Sequence, residues 1–246
     1  MAAFVLLDTE TTGGGLNDRV CQLAFITARA KEPLTFANSL CKPPVAIDFG
    51  AMAIHHITEE AIADKPPFAE CEAAIALNEL NREENVLIIQ NAPFDLEMLR
   101  REGFAWKGAL IDTLRVSRHL MPDLPSHSLQ YLRYALGLYR DEAQIAAKLG
   151  EAIRAHDAIG DCVVLYLLTQ YLLIKTGKNK DGVTTLLELT KKPIEMKIIR
   201  FGKYRDKSFE EIAKIDPKYL EWLHNSEMQK DSPDSDLIYT IERVLE

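Results

Sequence analysis

The residues from Ala3 to Thr9 are apolar until two carboxylates break in, within the stretch Phe4-Val-Leu-Leu-Asp8-Thr9-Glu10-Thr11-Thr12-Gly13. A short apolar run bounded by turn residues predicts a strand. The same pattern recurs over 19–29 and 34–42, with turns at Gly13-Gly14-Gly15 and Lys31-Glu32-Pro33, which suits an antiparallel meander. Farther along, helical periods alternate with two more short apolar runs, 86–90 and 109–112, as in parallel crossover units. The pattern predicts an α/β fold with a mixed five-stranded sheet flanked by helices. A long apolar helix is predicted from about His156 to Lys175. Its run Cys162 to Ile174 is interrupted by Thr169 and Gln170 and is shorter than the roughly 18 residues of a membrane span, so it reads as a core helix.

Near Thr176 to Gly182 the periodicity gives way to polar and glycine residues. That break divides the chain into a large domain over 1–176, a linker over 177–194 containing a short helical connector at 183–189, and a small C-terminal module over 195–246. Within the module, Ser208 is placed as a helix N-cap with Glu211 positioned for a capping box, and a second helix follows Pro217. From Lys191 to Lys207 there are seven basic residues against two acids, a local charge of +5, whereas Ser208 to Glu246 carries ten acids and four basic residues. One end of the module is therefore expected to be electropositive and to hold a polyanion.

A chain of 246 residues is long enough for one substantial core and a small second one. The net charge of −8 does not exclude a nucleic-acid partner, because phosphate attraction is local and bound metal ions add positive charge. The four cysteines have no C-x-x-C spacing and lie in apolar segments, so they read as reduced packing residues of a cytoplasmic protein. The N-terminal run is too short for a signal segment.

On a strand, residues two apart share a face, so Asp8 and Glu10 stand together at the strand's end. Crowded carboxylates repel unless a cation lies between them, and hard divalent cations favour oxygen ligands. Further carboxylates come from two later segments. In Asn85-Val-Leu-Ile-Ile-Gln90-Asn91-Ala92-Pro93-Phe94-Asp95 a predicted strand meets Asn91, a good N-cap, and Pro93, which is tolerated in a first helical turn, so Asp95 lies near a helix start. In His156-Asp157-Ala158-Ile159-Gly160-Asp161 a histidine precedes a carboxylate by five residues where the long apolar helix begins.

These three segments resemble, in order, spacing and flanking residues, the motifs of the DEDDh 3′-5′ exonucleases of the DnaQ-like superfamily. The tail resembles the module that follows the nuclease domain in the exodeoxyribonuclease X branch, as does the loop Ala51-Met52-Ala53-Ile54-His55-His56-Ile57-Thr58. The resemblance implies a ribonuclease-H-like arrangement and hydrolysis of DNA from 3′ ends, single-stranded or duplex, to nucleoside 5′-monophosphates, in repair or end trimming. Asp8, Glu10, Asp95 and Asp161 would hold two Mg²⁺ ions, replaceable by Mn²⁺, and His156 would take the proton from the attacking water. Thr11, Thr12, His55, Asn91 and Phe94 are the implied substrate contacts, with the Thr11–Thr12 backbone at the free 3′-hydroxyl. An RNA 3′-processing exonuclease and a polymerase proofreading subunit are the alternatives, and a homodimer stays open. Two positions depart from the family pattern. Gln90 stands where relatives often carry histidine and cannot titrate; Asp206 stands where a glycine commonly follows Tyr-Arg.

Overall fold

The computed structural model describes residues 2–150, 157–177, 180–230 and 233–246. Strands β1 (Phe4–Thr11), β2 (Val20–Ala28), β3 (Thr35–Leu40), β4 (Val86–Ile89) and β5 (Ala109–Asp112) form one sheet in the order β3-β2-β1-β4-β5. The first three strands pair antiparallel, as the tight turns between them require, and β4 and β5 join parallel to β1 through helical crossovers. β1 extends two residues beyond its expected end because Glu10 and Thr11 continue pairing with β2 across a register shift.

Helices α1 (Phe49–His55) and α2 (Glu59–Ile62) follow β3, and α3 (Glu72–Leu80) precedes β4. After α4 (Ala92–Arg101), which links β4 to β5, come α5 (Thr113–Leu120), α6 (Leu129–Ala135), α7 (Glu142–Leu149), α8 (Ala158–Thr176) and α9 (Lys180–Lys191). Each face of the sheet has its own core. Leu6, Ala24, Ile26, Ile88 and Ile111 pack against α8, while Val5, Leu7, Leu23, Phe25 and Ile89 pack against residues of α3 and α4. This division follows from the period-2 alternation of strand side chains.

α8 is 19 residues long and apolar enough in composition to cross a membrane, yet ten of its residues are buried inside the protein. Each fully buried Leu or Val there contributes about 1.5–3 kcal/mol, which anchors the helix along the sheet.

The chain forms two units, residues 1–190 and 191–246. The segment expected as a linker over 177–194 is largely α9. Leu186 is fully buried in the α8 core, with Val183, Leu187 and Leu189 packed around it, so the apolar face of this helix completes the first unit.

In the second unit a tight turn closes where Ile199 N–H donates to Lys207 C=O and Asp206 N–H donates back to Ile199 C=O. Asp206 adopts a left-handed φ of 68°, which aspartate tolerates better than most residues. Helices α10 (Phe209–Ile215), α11 (Pro217–Met228) and α12 (Ser235–Leu245) enclose a small core of Ile199, Phe209, Ile212, Leu220, Leu223, Leu237 and Ile241. Ser208 caps α10 through Glu211 N–H at 3.1 Å, but the reciprocal half of the capping box is missing because the Glu211 carboxylate pairs with Lys207.

Four of the seven basic side chains of the expected electropositive end are ion-paired in the fold. Asp206 pairs with Arg200 at 2.9 Å and Arg205 at 3.8 Å, Asp216 pairs with Lys203 at 3.1 Å, and Glu211 takes Lys207. Folding brings Asp216 and Glu211, which lie beyond the basic stretch in sequence, against it.

Candidate active site

On β1, Leu6 faces the α8 core, and by alternation Asp8 and Glu10 point the same way. Asp161, in the first turn of α8, meets them there: Asp8, Glu10 and Asp161 each offer a carboxylate oxygen, all within 4.8 Å of one another. Asp95 comes from the other side of the sheet. It lies in the first turn of α4, is buried, and accepts a 2.7 Å hydrogen bond from Thr9, the β1 residue between Asp8 and Glu10. The site is thus three carboxylates on one face and a fourth reaching the strand end from the opposite face.

The electrostatics of this cluster are unfavourable by itself. Burial, followed by repulsion from Asp161 and Asp95, pushes Glu10 up to about 8. Burial also raises Asp95 to about 7, against the opposing hydrogen bond from Thr9. Asp8 is raised well above the usual carboxylate range by burial and then by Asp95, Asp161 and Glu10. A divalent cation reverses every one of these repulsions, and a donor set of carboxylate oxygens suits a hard ion. The residues present therefore fit a metal centre.

His156, the expected base, lies outside the described residues. The other expected residues divide. Phe94 is 37% exposed, its ring next in sequence to buried Asp95. Asn91 is exposed in a left-handed conformation at the N-terminus of α4, but its side chain makes no cap. Asp112 does that work from β5: its two oxygens accept from Asn91 N–H at 3.1 Å and Ala92 N–H at 3.2 Å, and it also caps α5.

His55 is buried and both ring nitrogens are used internally. Nδ1 accepts from Ile57 N–H at 3.0 Å, which leaves Nε2 protonated and donating to Thr11 C=O at 3.2 Å. Burial holds its pKa below the ordinary value. Its ring nitrogens therefore brace the β1 end from within. The Thr12 backbone, expected at a 3′-hydroxyl, is also engaged: N–H donates to Arg19 C=O at 2.9 Å and C=O accepts from Asp48 N–H at 2.8 Å. Thr11 and Thr12 turn their hydroxyls to Gly13 C=O and Asp18. Gln90, at the divergent position, accepts from Thr113 Oγ1 and donates to His127 C=O, a structural brace.

Two glutamines touch the site that motif reading passes over. Gln22 on β2 lies opposite Glu10 and donates to Asp157 at 2.6 Å and Asn38 at 3.0 Å. A glutamine among the mostly apolar residues of the Val20–Ala28 strand was its only signal. Gln130 on α6 donates to Asp161 at 2.6 Å, and nothing in its local sequence marks it. A cleft of about 920 Å³ opens beside Gln22 and Asp157 and is also lined by His55, His56 and Lys65.

The family described as Exonuclease matches residues 5–169, a span containing all four carboxylates. The chain belongs to the exonuclease family. Exodeoxyribonuclease 10 of Escherichia coli (strain K12) is 30% identical over 245 residues, 98% of each chain. DNA polymerase III subunit epsilon of Treponema pallidum is 30% identical over 180 residues, 65% of this chain and 81% of that one. Residues 199–227 separately match the Exodeoxyribonuclease X-like C-terminal family. Among solved structures, Exonuclease X in complex with 5′ overhanging duplex DNA superposes with a TM-score of 0.57 at 24% identity, covering 77% of this chain and 99% of that one. The exonuclease family is metal-dependent and hydrolytic, and the acidic cluster of this member is in place for that chemistry.

Proposed function

We propose that this protein is a 3′-5′ exodeoxyribonuclease that uses Mg²⁺, or Mn²⁺ in its place, to release nucleoside 5′-monophosphates from DNA 3′ ends in repair or end trimming. The observation that carries this reading is the convergence of Asp8, Glu10 and Asp161 within 4.8 Å in a member of the exonuclease family. Bound divalent ions supply positive charge to the scissile phosphate and its leaving oxygen. Asp8, Glu10 and Asp161 hold them from one face of the sheet, and Asp95 contributes from the other. His156 takes the proton of the attacking water, a task suited to an imidazole with an unperturbed pKa near 6.5. The exposed ring of Phe94 and the exposed Asn91 border the terminal nucleotide. His55 acts one step back, by fixing the Thr11 carbonyl and the strand end that carries Glu10. Four buried, free thiols suit a reducing compartment, and we assign the protein to the cytoplasm.

A proofreading subunit would share the site. The match of residues 199–227 to the exodeoxyribonuclease X-like tail favours an independent nuclease. The test is cleavage of matched DNA and RNA oligonucleotides, single- and double-stranded, 5′-labelled, with Mg²⁺. Stepwise shortening of DNA from the 3′ end, stopped by EDTA, is expected; full turnover in excess EDTA overturns the metal-dependent reading, and faster cleavage of RNA moves the substrate class.

A further inference from the structure

The carboxylate that α8 brings to the cluster is gripped from a neighbouring helix. Gln130 Nε2, in the first turn of α6, donates to Asp161 Oδ1 at 2.6 Å. The amide is itself oriented, because Arg133 Nη1 donates to Gln130 Oε1 at 3.1 Å. An arginine can only donate, so this bond identifies the glutamine oxygen and leaves the NH₂ end for Asp161. Arg133 is held in turn by Glu142, at the start of α7, through two bonds of 2.5 and 2.6 Å. Both partners of that pair are largely withdrawn from water, with side-chain exposures of 13% and 8%.

The order of charges in this relay is informative. Gln130 meets Asp161 with a neutral amide, and Arg133 stands one residue farther back with its own carboxylate partner. A lysine or arginine in place of Gln130 would bring a positive charge against Asp161 and compete with a metal ion. The amide fixes the direction of Asp161 Oδ1 and adds no net charge beside it. Groups that hold a ligand in this way typically change metal affinity or activity by about 10- to 100-fold when removed.

We propose that Gln130 is a positioning residue that presents Asp161 to the divalent cation, with the Arg133–Glu142 pair locking its amide. This rests on the reading of Asp161 as a metal ligand, and the test separates the two. Mn²⁺ binding to the full chain is titrated by the electron paramagnetic resonance signal of free Mn²⁺, without nucleic acid, for wild type, Gln130→Met, Gln130→Ala and Asp161→Asn. Thermal unfolding of each metal-free variant is the control for folding. Both Gln130 variants are expected to bind Mn²⁺ about 10- to 100-fold more weakly, with cleavage rates that recover as the metal is raised to saturation. Asp161→Asn should lose affinity without such recovery. If the Gln130 variants bind like wild type while Asp161→Asn is impaired, the positioning role is wrong and the ligand reading stands. A lowered Tm with unchanged Mn²⁺ affinity makes Gln130 a packing residue and also overturns the proposal. If Asp161→Asn binds like wild type, both readings fail together.

Discussion

Asp8 and Glu10 in the first unit are pushed above their ordinary pKa values by burial and by neighbouring carboxylates, and Asp95 by burial, whereas Asp216 and Glu227 in the C-terminal module are held below theirs. The difference lies in their neighbours. Asp216 accepts from Tyr204 at 2.7 Å and Lys203 at 3.1 Å, and Glu227 from Lys230 at 2.6 Å and Asp234 N–H at 2.9 Å. Asp216 and Glu227 are satisfied by the protein itself, while Asp8 and Glu10 face further carboxylates and fit a cation. Charge count alone hides this contrast, because both regions are rich in acids.

The strongest way to break the comparison is to remove a member of the repelling set. Asp8→Ala or Asp161→Ala should lower cleavage by roughly three powers of ten or more, since several kcal/mol of charge stabilisation goes with the metal. The metal-free variants should unfold no earlier than wild type, because a repulsion has been relieved. Loss of activity accompanied by a clear fall in metal-free Tm would show that these carboxylates hold the fold after all.

Next in size is the proton acceptor. His156→Ala should reduce the single-turnover rate by roughly two to four powers of ten and reshape the acidic limb of its pH profile. A wild-type rate at every pH would assign the proton to another group.

The pH dependence of stability distinguishes the two kinds of acid directly. Unfolded, Glu10 and Asp95 titrate near the ordinary value of about 4, but in the fold they reach about 8 and about 7. The folded state therefore keeps protons that the unfolded chain has released. Their stabilising contribution is full below about pH 4 and is lost as the pH rises through the folded values of about 7 and about 8. Metal-free protein should show a falling Tm across this window, and Mn²⁺ or Mg²⁺ should reverse the fall by binding the deprotonated carboxylates. A Tm that rises with pH, or that ignores the metal, contradicts the raised values.

The smallest effect is expected in the module. Replacing Lys203, Arg205 and Lys207 with glutamine removes charges that Asp216, Asp206 and Glu211 already offset. The log–log salt slope for single-stranded DNA should therefore change by less than the roughly 0.7 of one phosphate contact. A change of about 2, the sum for three contacts, would show that these ion pairs open to the phosphate backbone.

The strands were legible because most are short apolar runs ending in turn residues, and a strand's period of two already placed Asp8 and Glu10 on one face. The long core helix was legible for the same reason, since periodicity acts over a few neighbouring residues. The sequence by itself thus determined the α/β sheet, the order of the carboxylate-bearing segments and the presence of a capped C-terminal module. Only the tertiary structure decided how polar groups were shared out. Asp95 reaches the site from the opposite face and is tied to Thr9, 86 residues away in the chain, and Gln130 meets Asp161 across 31 residues. His55 spends its nitrogens on the β1 end 44 residues away, and Asp112 replaces the cap expected from Asn91. Such partners are chosen by whatever donor or acceptor folding brings within hydrogen-bond reach, because a buried polar group left alone costs more than almost any alternative pairing.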